Sequence, residues 1–155
     1  MVSRGLGDVY KRQKVSSPKA FVNSDILFSI ERLWEVIGHL NVGLCLDTCH
    51  TWAGGIPTID AVKGFKKLVK KIDLIHFNDS KDGFESSRDR HENLGKGKIP
   101  KEELEYVIKN AKTDIIVETP NGPDAQKKDI AWIKRRLKKW TIYQIISLLM
   151  MVLHF

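Results

Sequence analysis

Cysteine is scarce. Cys45 and Cys49 are the only two in 155 residues. A pair four apart does not make the disulfide framework of a small secreted domain. With His50 the two could touch zinc, but a closed structural site wants four ligands and no third cysteine exists. Cys45 also falls inside an apolar run, where a free cysteine usually packs as a small hydrophobe. Long apolar runs are missing too. The stretch from Thr141 to Phe155 is almost entirely apolar, yet shorter than the ~20 residues that span a bilayer. Residues 1–13 hold no apolar core of a signal peptide. A cytoplasmic setting without membrane contact is the expectation.

What is present suits one ordinary domain. The net charge is +7, but it is unevenly spread. Lys134, Arg135, Arg136, Lys138 and Lys139 form one basic run, and the rest of the excess lies in residues 1–13, where Arg4, Lys11 and Arg12 face Asp8. A basic run near a terminus is usually a solvated helix face, with nucleic-acid contact as the alternative.

Both ends look foreign to the middle. The stretch Asp8-Val9-Tyr10-Lys11-Arg12-Gln13 has no periodicity and resembles the translated transposon end of sequencing libraries. Residues 1–13 are expected to be a non-native leader and are set aside. Residues 140–155 form an apolar tail, read either as a buried terminal helix or as out-of-frame read-through.

Between them a strand–helix pattern repeats. Asn23 or Ser24 can cap a helix with Ile26, Ile30, Leu33, Trp34 and Ile37 on one face. Asn41 to Thr48 reads as a strand. Thr58 can cap a second helix carrying Ile59, Val62, Phe65, Leu68, Val69 and Ile72. A strand follows at 74–78. Pro100 fits the first turn of a third helix with Leu104, Val107, Ile108 and Ala111 inward. A strand over 114–119 stops at Pro120. Asp124 can cap a fourth helix carrying Ile130, Ile133 and Leu137. This alternation predicts an α/β fold of parallel strands with crossover helices. A complete (β/α)₈ barrel needs about 250 residues, so the chain can supply less than half of one.

Each strand ends in a candidate ligand: Asp47, His76 and Glu118. Parallel strands put their C-terminal ends on one edge, where such folds keep their sites. One of these residues alone would read as a helix cap or a hydrogen-bonded core histidine. Three together are harder to dismiss, because clustered carboxylates need counter-charge. The loops add His50 and the Asp89-x-His91 pair, whose side chains share one side of an extended backbone. Two imidazoles and a carboxylate are a usual nitrogen-and-oxygen set for Zn²⁺.

VGLCLDTCH (42–50), IHFNDSK (75–81), DRHENLGKGKI (89–99) and VETP (117–120) resemble endonuclease IV, the metal-dependent apurinic/apyrimidinic endonuclease family. The resemblance covers roughly Asn23 to Lys139. It implies a TIM barrel, a trinuclear zinc cluster, and hydrolysis of the DNA phosphodiester bond 5′ to an abasic site in base-excision repair. It implies double-stranded DNA containing abasic sites as the partner and a monomer when intact. By motif, Asp47, His76 and Glu118 resemble ligands of a bridged zinc pair, and His50, Asp89 and His91 the protein ligands of the remaining zinc. Glu118 would also orient or deprotonate the attacking water. Arg90, Lys81 and Lys96 are candidates for DNA contact, against a reading as ordinary surface cations.

The family's other ligands, two histidines and a bridging glutamate from earlier strands, have no match here. Residues 14–139 therefore read as the C-terminal part of the barrel, its last three strands with their helices. Such a fragment supports at most two of the zinc sites and is expected to be inactive alone. One rival is a sugar isomerase-like barrel, which Asp47, His76 and Glu118 alone would suit but the imidazole-rich second set would not. The other is a fragment that binds metal or DNA without catalysis.

Overall fold

The computed structural model describes residues 24–69 and 71–152. The leader over residues 1–13, Asn23 as a cap, the side chain of Ile26 and the side chains of the apolar tail from residue 143 onward lie outside what is described.

In chain order the elements are α1 (Ser24–Ile37), β1 (Cys45–Asp47), α2 (Thr48–Ala53), α3 (Thr58–Val69), β2 (Leu74–Phe77), β3 (Asp79–Ser80), β4 (His91–Glu92), α4 (Lys101–Asn110), β5 (Asp114–Val117) and α5 (Gly122–Val152). The main sheet has the order β1-β2-β5, with both pairings parallel. The predicted α/β alternation is therefore present, with α2 and α3 between the first two strands and α4 before the third.

The helices form where apolar side chains recur at helical spacing. Val62 and Phe65 of α3 and Leu104, Val107 and Ile108 of α4 are buried against Leu44, Leu46, Ile75 and Phe77. Each such side chain removed from water contributes about 1.5–3 kcal/mol. Pro100 precedes α4 with φ −54, and Glu102 and Glu103 occupy its first turn, where negative charge meets the positive end of the helix dipole. Beyond its end Lys112 turns to φ 53, and the chain leaves for β5.

Successive strand residues point to opposite faces. Leu46, Ile75 and Phe77 face the helices and are buried. The registers Asp47 to His76 and His76 to Ile116 line up the other face. There Ile116 is 47% exposed.

Several expectations are corrected. The first strand spans Cys45–Asp47 rather than Asn41 to Thr48: Val42 and Gly43 are exposed, and Thr48 already begins the next helix. The third ends at Val117, so Glu118 lies one residue past it. The Thr58 hydroxyl donates to Glu103 Oε2 at 2.9 Å and its amide to the same atom. It thus ties α3 to α4 instead of capping its own helix. The last helix starts at Gly122, placing Asp124 inside its first turn, paired with Lys127. Among the described side chains of α5 the buried ones are Asp129, Trp132 and Ile133, while Ile130 is 42% exposed. The carboxylate of Asp129 shares the inward face there with the apolar Trp132 and Ile133. The helix runs on unbroken past residue 140 to Val152. Among the described residues no helix is long and apolar enough to cross a membrane.

Candidate metal centre

Asp47 ends β1 and is also the N-cap of α2, its backbone extended at φ −106, ψ 125. Its Oδ1 accepts the His50 amide at 2.9 Å. This is ordinary capping chemistry. It leaves Oδ2 turned to the site, 3.9 Å from His76 Nδ1 and 3.9 Å from His91 Nε2. The cap and ligand readings of Asp47 thus use different oxygens of one carboxylate. The same short helix carries His50 to the strand edge.

His76 Nδ1 lies 3.1 Å from Glu118 Oε2, which joins the end of β2 to the residue after β5. Asp89 Oδ1 sits between two imidazoles, 2.9 Å from His50 Nε2 and 3.1 Å from His91 Nε2. The two rings are 5.9 Å apart. His91 Nδ1 is 2.7 Å from the Glu118 carbonyl oxygen. A carbonyl only accepts, so Nδ1 carries hydrogen and Nε2 is the atom offered to the site. Burial of the ring works against its charge, but the Asp89 hydrogen bond, the nearby Asp47 charge and the Glu118 carbonyl raise its pKa to about 8.

Ligand atoms of Asp47, His50 and His91 lie within 4.8 Å of one another, as do those of Asp47, His76 and Glu118, and those of Cys49, Asp89 and His91. The Cys49 side chain is fully buried, and burial pushes its thiol up to about 11. A thiol so placed could bind a cation only by giving up that proton, which weakens its claim as a ligand. The remaining donors are imidazole nitrogens and carboxylate oxygens, a set that fits Zn²⁺ or a similar divalent cation.

The sequence reading missed what holds these donors. The long loop after β2 is not featureless, because β3 and β4 pair antiparallel, matching Ser80 with His91. Asn78 is fully buried. Its Oδ1 accepts the Cys49 amide at 2.8 Å, and its Nδ2 lies 3.4 Å from Asp47 Oδ2 and 3.4 Å from His91 Nε2. Asp79 is buried as well, and its carboxylate accepts backbone N–H groups from Ser80, Gly95, Gly97 and Ile99. Burial raises its pKa while those amides pull it back. Both residues stand in the motif at 75–81, but nothing in the pattern marked them as buried hubs.

The candidate DNA contacts are less concentrated. Lys81, Arg90 and Lys96 are all exposed. Arg90 Nε donates to Asp82 Oδ2 at 2.6 Å, and Arg88 lies 3.7 Å from the same carboxylate. Any phosphate contact by Arg90 would have to share or displace Asp82.

Residues 18–136 match the family described as xylose isomerase-like TIM barrel. The chain is 47% identical over 108 residues to a probable endonuclease 4 of Mycobacterium bovis (strain BCG / Pasteur 1173P2), covering 70% of this chain and 42% of the relative. It is 46% identical over 108 residues to the probable endonuclease 4 of Mycobacterium leprae, with the same coverage. The crystal structure of endonuclease IV from Thermus thermophilus superposes with a TM-score of 0.59 at 28% identity, covering 70% of this chain and 44% of that one. The chain thus spans less than half the length of these relatives. It belongs to the xylose isomerase-like TIM barrel family and, within it, resembles endonuclease IV.

Proposed function

We propose that this chain is the part of a zinc-dependent DNA endonuclease that supplies metal ligands from the C-terminal ends of three adjacent barrel strands, and that the whole enzyme cuts the phosphodiester bond 5′ to abasic sites. The observation that carries this reading is the clustering of Asp47, His50, His76, Asp89, His91 and Glu118 at one sheet edge. Its imidazole-rich half, His50 with Asp89 and His91, favours zinc over the magnesium or manganese of an isomerase site. The relatives' names add nuclease chemistry to that donor set.

Bound zinc would supply Lewis-acid stabilisation of phosphoryl oxygens and a hydroxide source near pH 7. The protein's part is to place and tune the donors. The Glu118 carbonyl holds His91 with Nε2 toward the centre, and Asp89 bridges the two imidazoles. Glu118, with a side chain 42% exposed beside His76, stands where it can orient water or take its proton. Lys81, Arg90 and Lys96 are the proposed phosphate contacts on the exposed rim.

Activity should need barrel strands that this chain does not supply, since the resemblance leaves two histidines and a bridging glutamate unmatched. The test is a nicking assay on duplex DNA with one abasic site. The chain alone is expected to be inactive, and Lys14–Lys139 joined after a homologous N-terminal barrel part should cut 5′ to the lesion in a zinc-dependent way. Efficient, chelator-sensitive cleavage by the chain alone would overturn the fragment reading. Sugar isomerisation by the joined protein, without nicking, would overturn the nuclease reading.

A further inference from the structure

Asp129 lies on α5, outside the candidate metal centre, yet its side chain is turned into the protein and the residue is only 4% exposed. Asn93 Nδ2 donates to its Oδ2 at 2.7 Å, the Thr119 hydroxyl donates to the same oxygen at 2.6 Å, and the Leu94 amide donates to Oδ1 at 3.0 Å. A buried carboxylate is costly unless its oxygens are satisfied, and these donors satisfy it without a cation. They come from two separate loops. Asn93 and Leu94 follow His91, and Thr119 follows Glu118.

The two loops are stitched directly as well. Asn93 Nδ2 also donates to the Pro120 carbonyl at 3.1 Å, and Asn121 Nδ2 donates to Asn93 Oδ1 at 2.7 Å. Nearby, Gly95 has φ +76, and a Cβ there would come 3.0 Å from Trp132 Nε1. The loop thus lies against α5 at Asp129 and again near Trp132. At the metal edge the same two loops meet again in the 2.7 Å contact between His91 Nδ1 and the Glu118 carbonyl. That contact sets the His91 ring two residues from Asn93, and its acceptor belongs to the residue before Thr119.

We infer that Asp129 is a positioning residue for the metal centre: by clamping the loop after His91 to the loop after Glu118, it holds the His91 ring with Nε2 aimed at the ion. This rests on the metal-binding reading above. Groups that orient a ligand typically change metal affinity by 10–100-fold when removed. Asp129→Asn replaces one carboxylate oxygen by an amide donor, which in either orientation faces another donor, the Asn93 side-chain amide or the Leu94 backbone amide.

The test is Co²⁺ titration of the full chain, followed by calorimetry and by the visible absorption of the bound ion, with circular dichroism to verify folding. Asp129→Asn should weaken Co²⁺ binding by roughly tenfold or more and alter the visible bands. Thr119→Val, which removes one donor and spares Asp129, should weaken binding to a smaller degree and serves if Asp129→Asn does not fold. Glu103→Ala, which loosens the remote tie between α3 and α4, should lower stability without changing affinity or bands. Unchanged affinity and bands in folded Asp129→Asn, or in Thr119→Val where that variant stands in, would overturn the inference. So would a Glu103→Ala that weakens binding as much as Asp129→Asn. A wild-type chain that takes up no Co²⁺ would instead overturn the metal reading, and the inference with it.

Discussion

At the scale of single residues, Asp47 divides its work between two oxygens, one capping α2 and one facing the site. His91 divides its work between two nitrogens, one anchored on the Glu118 carbonyl and one offered to the centre. The ligand partition makes a direct prediction. The chain should bind at most two zinc ions, and the one held through His50, Asp89 and His91 should be the tighter, because two imidazoles are good zinc donors. His91→Ala should remove it and Glu118→Gln should leave it, as read by zinc titration against a chromogenic chelator. The reverse result would reassign the ligands. A second prediction concerns Gly97. A Cβ there would lie 2.3 Å from Asp79 Oδ1 and 2.3 Å from the Ser80 carbonyl. Gly97→Ala must push apart the cradle around Asp79 and should lower stability by about 1–3 kcal/mol, measured by urea unfolding. An unchanged midpoint would mean that the cradle is looser than these contacts imply.

At the scale of elements, what could be read from sequence depended on which signal each element carries. The phases of α3 and α4 were legible because Val62, Phe65, Leu104, Val107 and Ile108 are apolar and recur at helical spacing. The inward phase of α5 was misjudged at Ile130 because its deepest anchor is a carboxylate, and periodicity of apolar residues cannot register Asp129. The gathering of Asp47, His76 and Glu118 at one edge followed from parallel strands alone. The β3–β4 hairpin did not, because two-residue strands leave no alternation to read and their pairing rests on Asp79 holding the loop at 95–99. The bond from Thr58 to Glu103 was equally invisible, since it joins residues far apart in sequence. It yields a third prediction. Thr58 is fully buried, and both its amide and its hydroxyl donate to Glu103 Oε2. Glu103→Ala leaves those buried donors without their acceptor and should destabilise the fold by roughly 1–3 kcal/mol. Glu103→Gln keeps an acceptor oxygen and should cost less. Equal unfolding midpoints for the two variants would show that the lost acceptor is not what matters.

At the scale of the whole molecule, the three-stranded sheet among the described residues has β1 and β5 at its two edges. In a closed barrel each would pair with a further strand, and the face carrying His76 and Ile116 would be packed by side chains from the opposite wall. Here Ile116 is 47% exposed, and Val36, Leu40 and Val42 lie exposed ahead of β1 at 68%, 52% and 44%. Open strand edges and apolar surface are what drive edge-to-edge association. The isolated chain is therefore expected to associate in a concentration-dependent way and to melt broadly. Ile116→Lys should reduce association without disturbing the helix-facing side of the sheet, because Ile75, Phe77, Ile115 and Val117 are turned the other way. Sedimentation velocity over a range of concentrations, with a calorimetric melt, checks both statements. A monomer at every concentration with one sharp transition would mean that the helix-facing core, from Leu44 and Phe77 to Trp132, suffices to hold the sheet without the rest of a barrel. Association undiminished by Ile116→Lys would move the responsible surface from the open face to the strand edges.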